Sequence, residues 1–245
     1  MSFLAFRRAV ALIFAICLSI IRFWLLRLRG PLTLEKRALW VQQTSIGFLN
    51  VVGIHYRVEG TPPTHGLVVA NHLSYLDILI LSAAMPCFFV AKVEIGGWPF
   101  FGKAARIGGT IFIDRSSLVS ANSVAAQMTE RLKEPIPVLL FPEGTSTDGH
   151  QVLRFHSRLI DPATTAGAQI TAAAVRYVIA DGTPEEKLCW GDDTLFITHL
   201  MTTLNTPGFS AKVCFGQPHV YPDRRTAADV THAEVTAMRL RLSLP

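Results

Sequence analysis

The chain is poor in charge and in cysteine, and each scarcity narrows what it can be. Only 17% of its 245 residues are charged while half are apolar, which is greasier than an ordinary soluble domain and directs attention to where the apolar residues gather. The four cysteines, Cys17, Cys87, Cys189 and Cys214, include no Cys-x-x-Cys pair and have no histidine at zinc-finger spacing. This argues against a disulfide framework or structural metal and leads us to expect reduced, mostly buried thiols in a protein facing the cytosol. There is no Gly-x-Ser-x-Gly string and no Cys-His signature, so a covalent nucleophile has no support. Internal repeats, low-complexity tracts and long linkers are also absent. The uncharged run near the N-terminus, residues 9–21, is thirteen residues long, short of the roughly 20 that cross a bilayer core.

The charge that is present is unevenly placed. Residues 1–60 hold Arg7, Arg8, Arg22, Arg27, Arg29, Lys36, Arg37 and Arg57 against Glu35 and Glu59, so the basic excess of the whole chain, +5, lies in this segment. A basic excess confined to an apolar region points to anionic lipid headgroups and away from nucleic acid, which requires a basic face on the folded body. Arg8, Arg22 and Arg29 fall at multiples of seven and share one helical stripe. That suits a helix lying in the membrane interface, or a tilted span with snorkelling arginines. A cleaved signal peptide fits poorly, because Arg22-Phe-Trp-Leu-Leu-Arg27 stands where a small-residue cleavage site belongs. If the helix spans, the positive-inside rule leaves the C-terminal body, with its active site, on the cytoplasmic side of the inner (cytoplasmic) membrane. After Gly30-Pro31, residues 33–50 read as a second helix with Leu34, Leu39, Trp40, Ile46 and Phe48 exposed on it. Residues 1–53 are thus expected to be a membrane-seated two-helix element, and residues 54–245 a single α/β domain.

Within that domain the periodicity switches repeatedly. Ile54, Tyr56 and Val58 alternate as in a strand, and short apolar runs at 67–70, 88–90, 110–113, 137–141 and 169–175 read as buried strands. Helical stretches at 75–84, 98–107, 119–134 and 156–167 lie between them, followed by a helix at 195–204, a strand at 212–215 and a closing helix at 226–242. Such alternation predicts an α/β fold with a mixed, mostly parallel sheet covered by helices on both faces. In open sheets of this class functional residues collect beyond the carboxyl ends of strands. Asn71-His72, Asp114-Arg115 and Glu143-Gly144-Thr145 each occupy such a position.

His72 and Asp77 stand five positions apart in Asn71-His72-Leu73-Ser74-Tyr75-Leu76-Asp77. A general base with an orienting acid suits that pair, but on one regular helix a separation of five turns them about 140° apart. They meet only if His72 lies in the strand-to-helix loop and Ser74 or a neighbour caps the helix carrying Asp77. Asp77 can then fix the tautomer and leave the other ring nitrogen to take a proton from an alcohol. On this heptapeptide alone, a core histidine capping a helix is an equal reading. The spacing recurs at His156 and Asp161, which read as polarity on a helix surface. Arg115, held at a strand end, offers a planar charged fork for a phosphate, although alone an ion pair with Asp114 or another carboxylate is commoner. Phe141-Pro142-Glu143-Gly144-Thr145 is the most specific string: a strand end, a braced turn, a carboxylate and a glycine that a ligand can approach closely.

Asn-His-x4-Asp, Gly109-x-x-Phe112-x-x-Arg115 and Phe-Pro-Glu-Gly-Thr, in this order between about residues 67 and 175, resemble the PlsC-type lysophospholipid acyltransferases. These in turn resemble glycerol-3-phosphate acyltransferases in their catalytic domain. The resemblance implies a membrane-associated enzyme of phospholipid biosynthesis, seated by an N-terminal two-helix element. It moves an acyl chain from acyl-CoA or acyl carrier protein to the free hydroxyl of a lysolipid, with 1-acylglycerol-3-phosphate the expected acceptor. It implies further that His72 is the general base and Asp77 its orienting acid, that Arg115, Glu143, Gly144 and Thr145 bind the acceptor, and that neither metal nor cofactor is needed beyond the thioester co-substrate. Two departures stand out. Phosphatidate-forming members usually continue with Arg after Phe-Pro-Glu-Gly-Thr, where this chain has Ser146, and their fourth motif carries a proline absent from Ile170-Thr171-Ala172-Ala173-Ala174-Val175. Together with Phe155-His156-Ser157-Arg158-Leu159 and Trp190-Gly191-Asp192-Asp193, these features are similar to the branch that includes lyso-ornithine lipid acyltransferases, with Arg154 or Arg158 as a compensating cation. A lyso-ornithine lipid or other lysolipid is therefore the alternative acceptor. A non-catalytic protein that binds membrane lipid or acyl carrier is the rival of another class.

Overall fold

A computed structural model of the protein describes residues 2–98, 101–114, 118–191 and 194–243. Ser2 caps the first helix, α1 (Phe3–Leu28), by accepting a hydrogen bond from the Ala5 N–H at 3.1 Å. A second helix, α2 (Leu34–Val52), starts at Thr33, whose hydroxyl accepts from the Lys36 N–H, and ends at Gly53 in the left-handed region, φ 77°. Seven strands follow: β1 (Ile54–Glu59), β2 (Leu67–Ala70), β3 (Phe88–Lys92), β4 (Ile111–Ile113), β5 (Val138–Leu140), β6 (Ile170–Ile179) and β7 (Phe209–Phe215). Helices α3 (Leu76–Ala84), α4 (Phe101–Gly108), α5 (Leu118–Arg131), α6 (Asp161–Thr165), α7 (Phe196–Asn205) and α8 (Arg224–Leu242) connect and cover them.

The strands form one sheet in the order β1-β7-β6-β2-β5-β3-β4, parallel throughout except between β6 and β7. This is the mixed, mostly parallel sheet that the apolar runs predict. Because side chains alternate along a strand, β6 separates two cores. Ala173, Val175 and Tyr177 face residues of α2, α3 and α7, while Ala172 and Ala174 face α5, α6 and α8. The central strands β2 and β5 are buried along their whole length, as strands covered on both faces must be. Their register pairs Val69 with Leu140. His72 and Glu143 each lie three residues further on, so the sheet delivers them to the same height beyond its carboxyl edge.

Several expectations change. The helix predicted over 156–167 is two pieces, a short 3-10 turn at Ser157–Leu159 and α6. Pro162, in the first turn of α6, has no N–H to donate back to Arg158, so one continuous helix cannot form. On α2, Trp40 and Phe48 are buried rather than exposed, and the Trp40 indole donates to the Ser19 carbonyl of α1 at 3.0 Å. Leu39 does face outward. Arg8 leaves the proposed basic stripe: it is buried, and its guanidinium donates to the Leu204 carbonyl at 3.1 Å and to the Thr206 carbonyl at the end of α7. Those carbonyls are the unpaired negative end of a helix, a natural place for a cation. Of the cysteines, Cys87 and Cys214 are buried, Cys189 is half-buried and Cys17 is exposed on α1; all four are free. Most of α1 is exposed, including Phe6, Ile13, Phe14 and Trp24, and it is long and apolar enough to cross a membrane by length and composition.

Candidate active site

The site begins where β2 stops. Asn71, the first residue past the strand, continues the sheet with its side chain: its amide donates to the Val175 carbonyl at 3.1 Å and accepts from the Val175 N–H at 2.8 Å. The main chain is thereby freed to turn, and His72 leaves the sheet plane. Ser74 then accepts from the Leu76 N–H at 3.0 Å, opening α3. His72 therefore lies in the loop and Asp77 in the first helical turn.

Asp77 is fully buried and accepts four hydrogen bonds. Its Oδ2 takes the His72 Nδ1–H at 2.9 Å, the Leu73 N–H at 2.6 Å and the Ser74 N–H at 3.0 Å. Its Oδ1 takes the hydroxyl of Tyr177. Assigning the proton to Nδ1 makes Nε2 the lone-pair nitrogen, the form a general base needs. The imidazole also stacks on Phe141, with ring centroids 4.0 Å apart and planes 14° from parallel. Two of its in-plane and out-of-plane freedoms are thus fixed by different groups.

Glu143 acts on the same loop from β5. Its Oε1 accepts the His72 N–H at 2.7 Å and its Oε2 accepts the Leu153 N–H at 2.7 Å. Both carboxylate oxygens are thus spent on main-chain donors, and the residue clamps the His72 loop to the Leu153 segment. Burial pushes its carboxyl up to about 7, although those two amides pull the other way. Gly144 sits at φ 80°, where a side chain is strained, and its N–H returns to the Phe141 carbonyl at 3.2 Å. The loop then folds over the histidine: the Thr147 N–H donates to the His72 carbonyl at 2.9 Å, and Ser146 donates to the Trp190 carbonyl.

His72, Phe141, Gly144, Thr145 and Ser146 line one part of a cavity of about 610 Å³. Tyr75, Trp98, Phe101, Trp190 and Phe196 make an aromatic collar beside them, with neighbouring rings 5.0 to 6.3 Å apart. Further in, the walls are apolar side chains of α1, α2 and α3, among them Leu12, Trp40, Phe48 and Leu79. The volume lies within the range of small-molecule pockets. A largely apolar pocket with His72 on its wall suits a long hydrocarbon carrying one reactive end, although Thr44, Lys92 and Glu94 also border it.

Of the residues singled out in the sequence, the structure brings His72, Asp77, Glu143, Gly144 and Thr145 together. Arg115 lies outside the described residues. Arg154, exposed, follows Leu153 and so borders the clamp. His156 and Asp161 do not approach one another: Asp161 pairs with Arg224 at 3.5 Å. Sequence reasoning missed Tyr177, a single aromatic residue in an apolar strand with no motif around it. It also missed the aromatic collar, whose members are scattered from Tyr75 to Phe196.

Comparison with known proteins agrees with this architecture. The family model described as Acyltransferase matches residues 50–176, just over half of the chain. A lyso-ornithine lipid O-acyltransferase of Rhodobacter capsulatus is 38% identical over 194 residues, 76% of this chain and 70% of that protein. A 1-acyl-sn-glycerol-3-phosphate acyltransferase of Neisseria meningitidis is 37% identical over 146 residues, 58% of this chain and 57% of the relative. The crystal structure of the 1-acyl-sn-glycerophosphate (LPA) acyltransferase PlsC from Thermotoga maritima superposes with a TM-score of 0.69 at 16% identity, covering 97% of this chain and 98% of that one. At that identity the match speaks for the fold. The chain is an acyltransferase: it belongs to the family whose members include lyso-ornithine lipid and 1-acylglycerol-3-phosphate acyltransferases.

Proposed function

We propose that the protein acylates the free hydroxyl of a lysolipid by direct transfer from a thioester, acyl-CoA or acyl carrier protein, with His72 as general base and Asp77 as its orienting acid. The observation that carries this reading is the 2.9 Å contact between the buried Asp77 and His72, which is itself partly exposed on the wall of a largely apolar cavity. The Nε2 atom takes the hydroxyl proton as the lysolipid oxygen attacks the thioester carbonyl. The C–S bond then breaks, the ester remains, and the proton passes from His72 to the departing thiolate. No acyl-enzyme is required. The acyl chain occupies the apolar part of the cavity, and the acceptor head group meets Arg115, Gly144 and Thr145. Glu143 supports that site as the clamp described above, and Arg154 is the cation nearest in sequence to it. The exposed apolar face of α1 holds the protein in the inner membrane, with the basic flank of that helix and the catalytic body on the cytoplasmic side.

We take lyso-ornithine lipid as the first acceptor. Similarity to the Rhodobacter protein runs through about three-quarters of this chain, and Ser146 stands where phosphatidate-forming members usually carry Arg. The second reading, 1-acylglycerol-3-phosphate, is favoured by the intact Phe141-Pro142-Glu143-Gly144-Thr145 string and by the Neisseria relative. An acceptor panel separates them: purified protein in detergent micelles with palmitoyl-CoA, offered each lysolipid in turn. The first reading predicts at least tenfold higher kcat/KM for lyso-ornithine lipid, the scale of one lost charge-assisted contact. A preference of that size for 1-acylglycerol-3-phosphate selects the second. If neither acceptor consumes thioester, with acyl carrier protein as the donor as well, acyl transfer to these lipids is wrong.

A further inference from the structure

Among the described residues, Tyr177 is the side chain from outside the His72 loop and α3 that hydrogen-bonds Asp77, and its position is over-determined. It is 2% exposed, on the face of β6 that looks onto α3. Its ring packs against Phe209 with centroids 5.6 Å apart. Its N–H is held by the Glu185 Oε2 at 3.0 Å, and Glu185 is in turn gripped by Arg239 of α8, at 2.8 Å between Nη2 and Oε1 and 3.2 Å between Nη1 and Oε2. Arg239 also donates to the Val175 carbonyl at 2.9 Å and to the Gly149 carbonyl. A buried ion pair of this kind, with its remaining donors satisfied, fixes geometry more than it adds stability.

The hydroxyl at the end of this scaffold has one task. Asp77 Oδ2 already serves three donors, while Oδ1 takes the Tyr177 O–H. We infer that Tyr177 is a positioning residue for acyl transfer, the third member of the His72–Asp77 unit: it fixes the rotation of the carboxylate and draws charge from it. The inference rests on the dyad reading above. Two donors on Oδ2 from consecutive main-chain amides fix one oxygen of the carboxylate and Tyr177 fixes the other, so Oδ2 is held on Nδ1. Burial, then the adjacent Asp77 charge, raises the phenol well above its ordinary range. It therefore remains a donor at any working pH. Ser74 Oγ lies 3.3 Å from the phenolic oxygen and can satisfy its lone pair.

The other ionisable groups around the unit are Glu143 on the His72 N–H, Cys189 beside Asp77 and Tyr177, and the Glu185, Arg239 and Arg176 cluster behind Tyr177. None of them donates to Oδ1 in this structure. Removing the phenolic hydrogen leaves more negative charge facing the imidazole, which favours the imidazolium. The direction of the consequence follows: a base that holds its proton more tightly works only at higher pH.

The test is Tyr177→Phe, which keeps the ring and its packing on Phe209, in the full chain in micelles. We expect kcat to fall about tenfold with KM for the lysolipid unchanged, and the acid limb of log kcat against pH to move upward. A second readout needs no turnover: the nitrogen shifts of labelled His72, followed against pH, move their midpoint upward in the variant. If the variant loses activity but neither the acid limb nor the His72 midpoint moves, the role is purely structural and the inference falls. It falls equally if kcat stays within twofold. A wild-type protein that acylates no lysolipid defeats the dyad reading, whereas the His72 midpoint still decides whether Tyr177 acts on the pair.

Discussion

The chain contains the same six-residue frame twice, His72 to Asp77 and His156 to Asp161, and folds them in opposite ways. In the first, the histidine stays in the loop, Ser74 starts the helix, and the carboxylate turns back onto the ring at 2.9 Å. In the second, His156 precedes a 3-10 turn, Asp161 begins a new helix, and its carboxylate goes to Arg224 at 3.5 Å. Local geometry alone does not make the distinction. The first frame receives support from β5 through Glu143 and Phe141, and from β6 through Asn71 and Tyr177. In the second, His156 is exposed and Asp161 is half-buried. A spacing becomes a dyad when distant strands supply the donors that hold it.

The strongest way to break this comparison is His72→Ala, for which we expect turnover to fall by about three to four orders of magnitude with membrane binding retained. Steady-state kinetics and flotation with vesicles check the two halves, and an active variant would sink the mechanism. Next is Glu143→Gln, which keeps one acceptor for the His72 and Leu153 amides and loses the other; activity should fall about tenfold. This substitution has a pH signature as well. With the native carboxyl at about 7, above its ordinary 4.5, the folded state holds the proton more tightly than the unfolded chain. The stabilisation is complete below 4.5 and is lost as the pH rises through 7. Denaturant melts of the wild type should weaken across that window relative to Glu143→Gln, and parallel curves for the two proteins would contradict the assignment. Smallest of all, His156→Ala should leave kcat/KM within about twofold; a loss approaching that of His72→Ala would mean that the wrong frame was chosen.

The sheet was largely legible because its central strands are buried on both faces, and runs such as Leu67–Ala70 have no polar residue to confuse them. The start of α2 was also readable at Thr33, whereas its end, expected at residue 50, lies at Val52, and which of its faces is covered was not readable. Periodicity shows that Trp40 and Phe48 lie on an apolar side, whereas the α1 carbonyl that Trp40 meets is a tertiary fact. Arg8 is similar: its spacing from Arg22 and Arg29 is real, yet the carbonyls at the end of α7, nearly two hundred residues away, claim it. In the site, the motifs pointed to groups contributed by neighbouring parallel strands, whose order in the sheet brings them together. Tyr177 was invisible because its partner is one hundred residues distant and a tyrosine in a strand reads as ordinary core.

Leu12 sits on the wall of the same cavity as His72, and the arginine one turn before it is tied into α7. The first helix therefore forms part of the wall of the cavity proposed to hold the substrate. A division of the molecule at Gly53 into a detachable anchor and a self-contained catalyst would run through that cavity. Replacing α1 with an arbitrary apolar helix would keep the protein at its membrane while changing the space available to the chain being transferred.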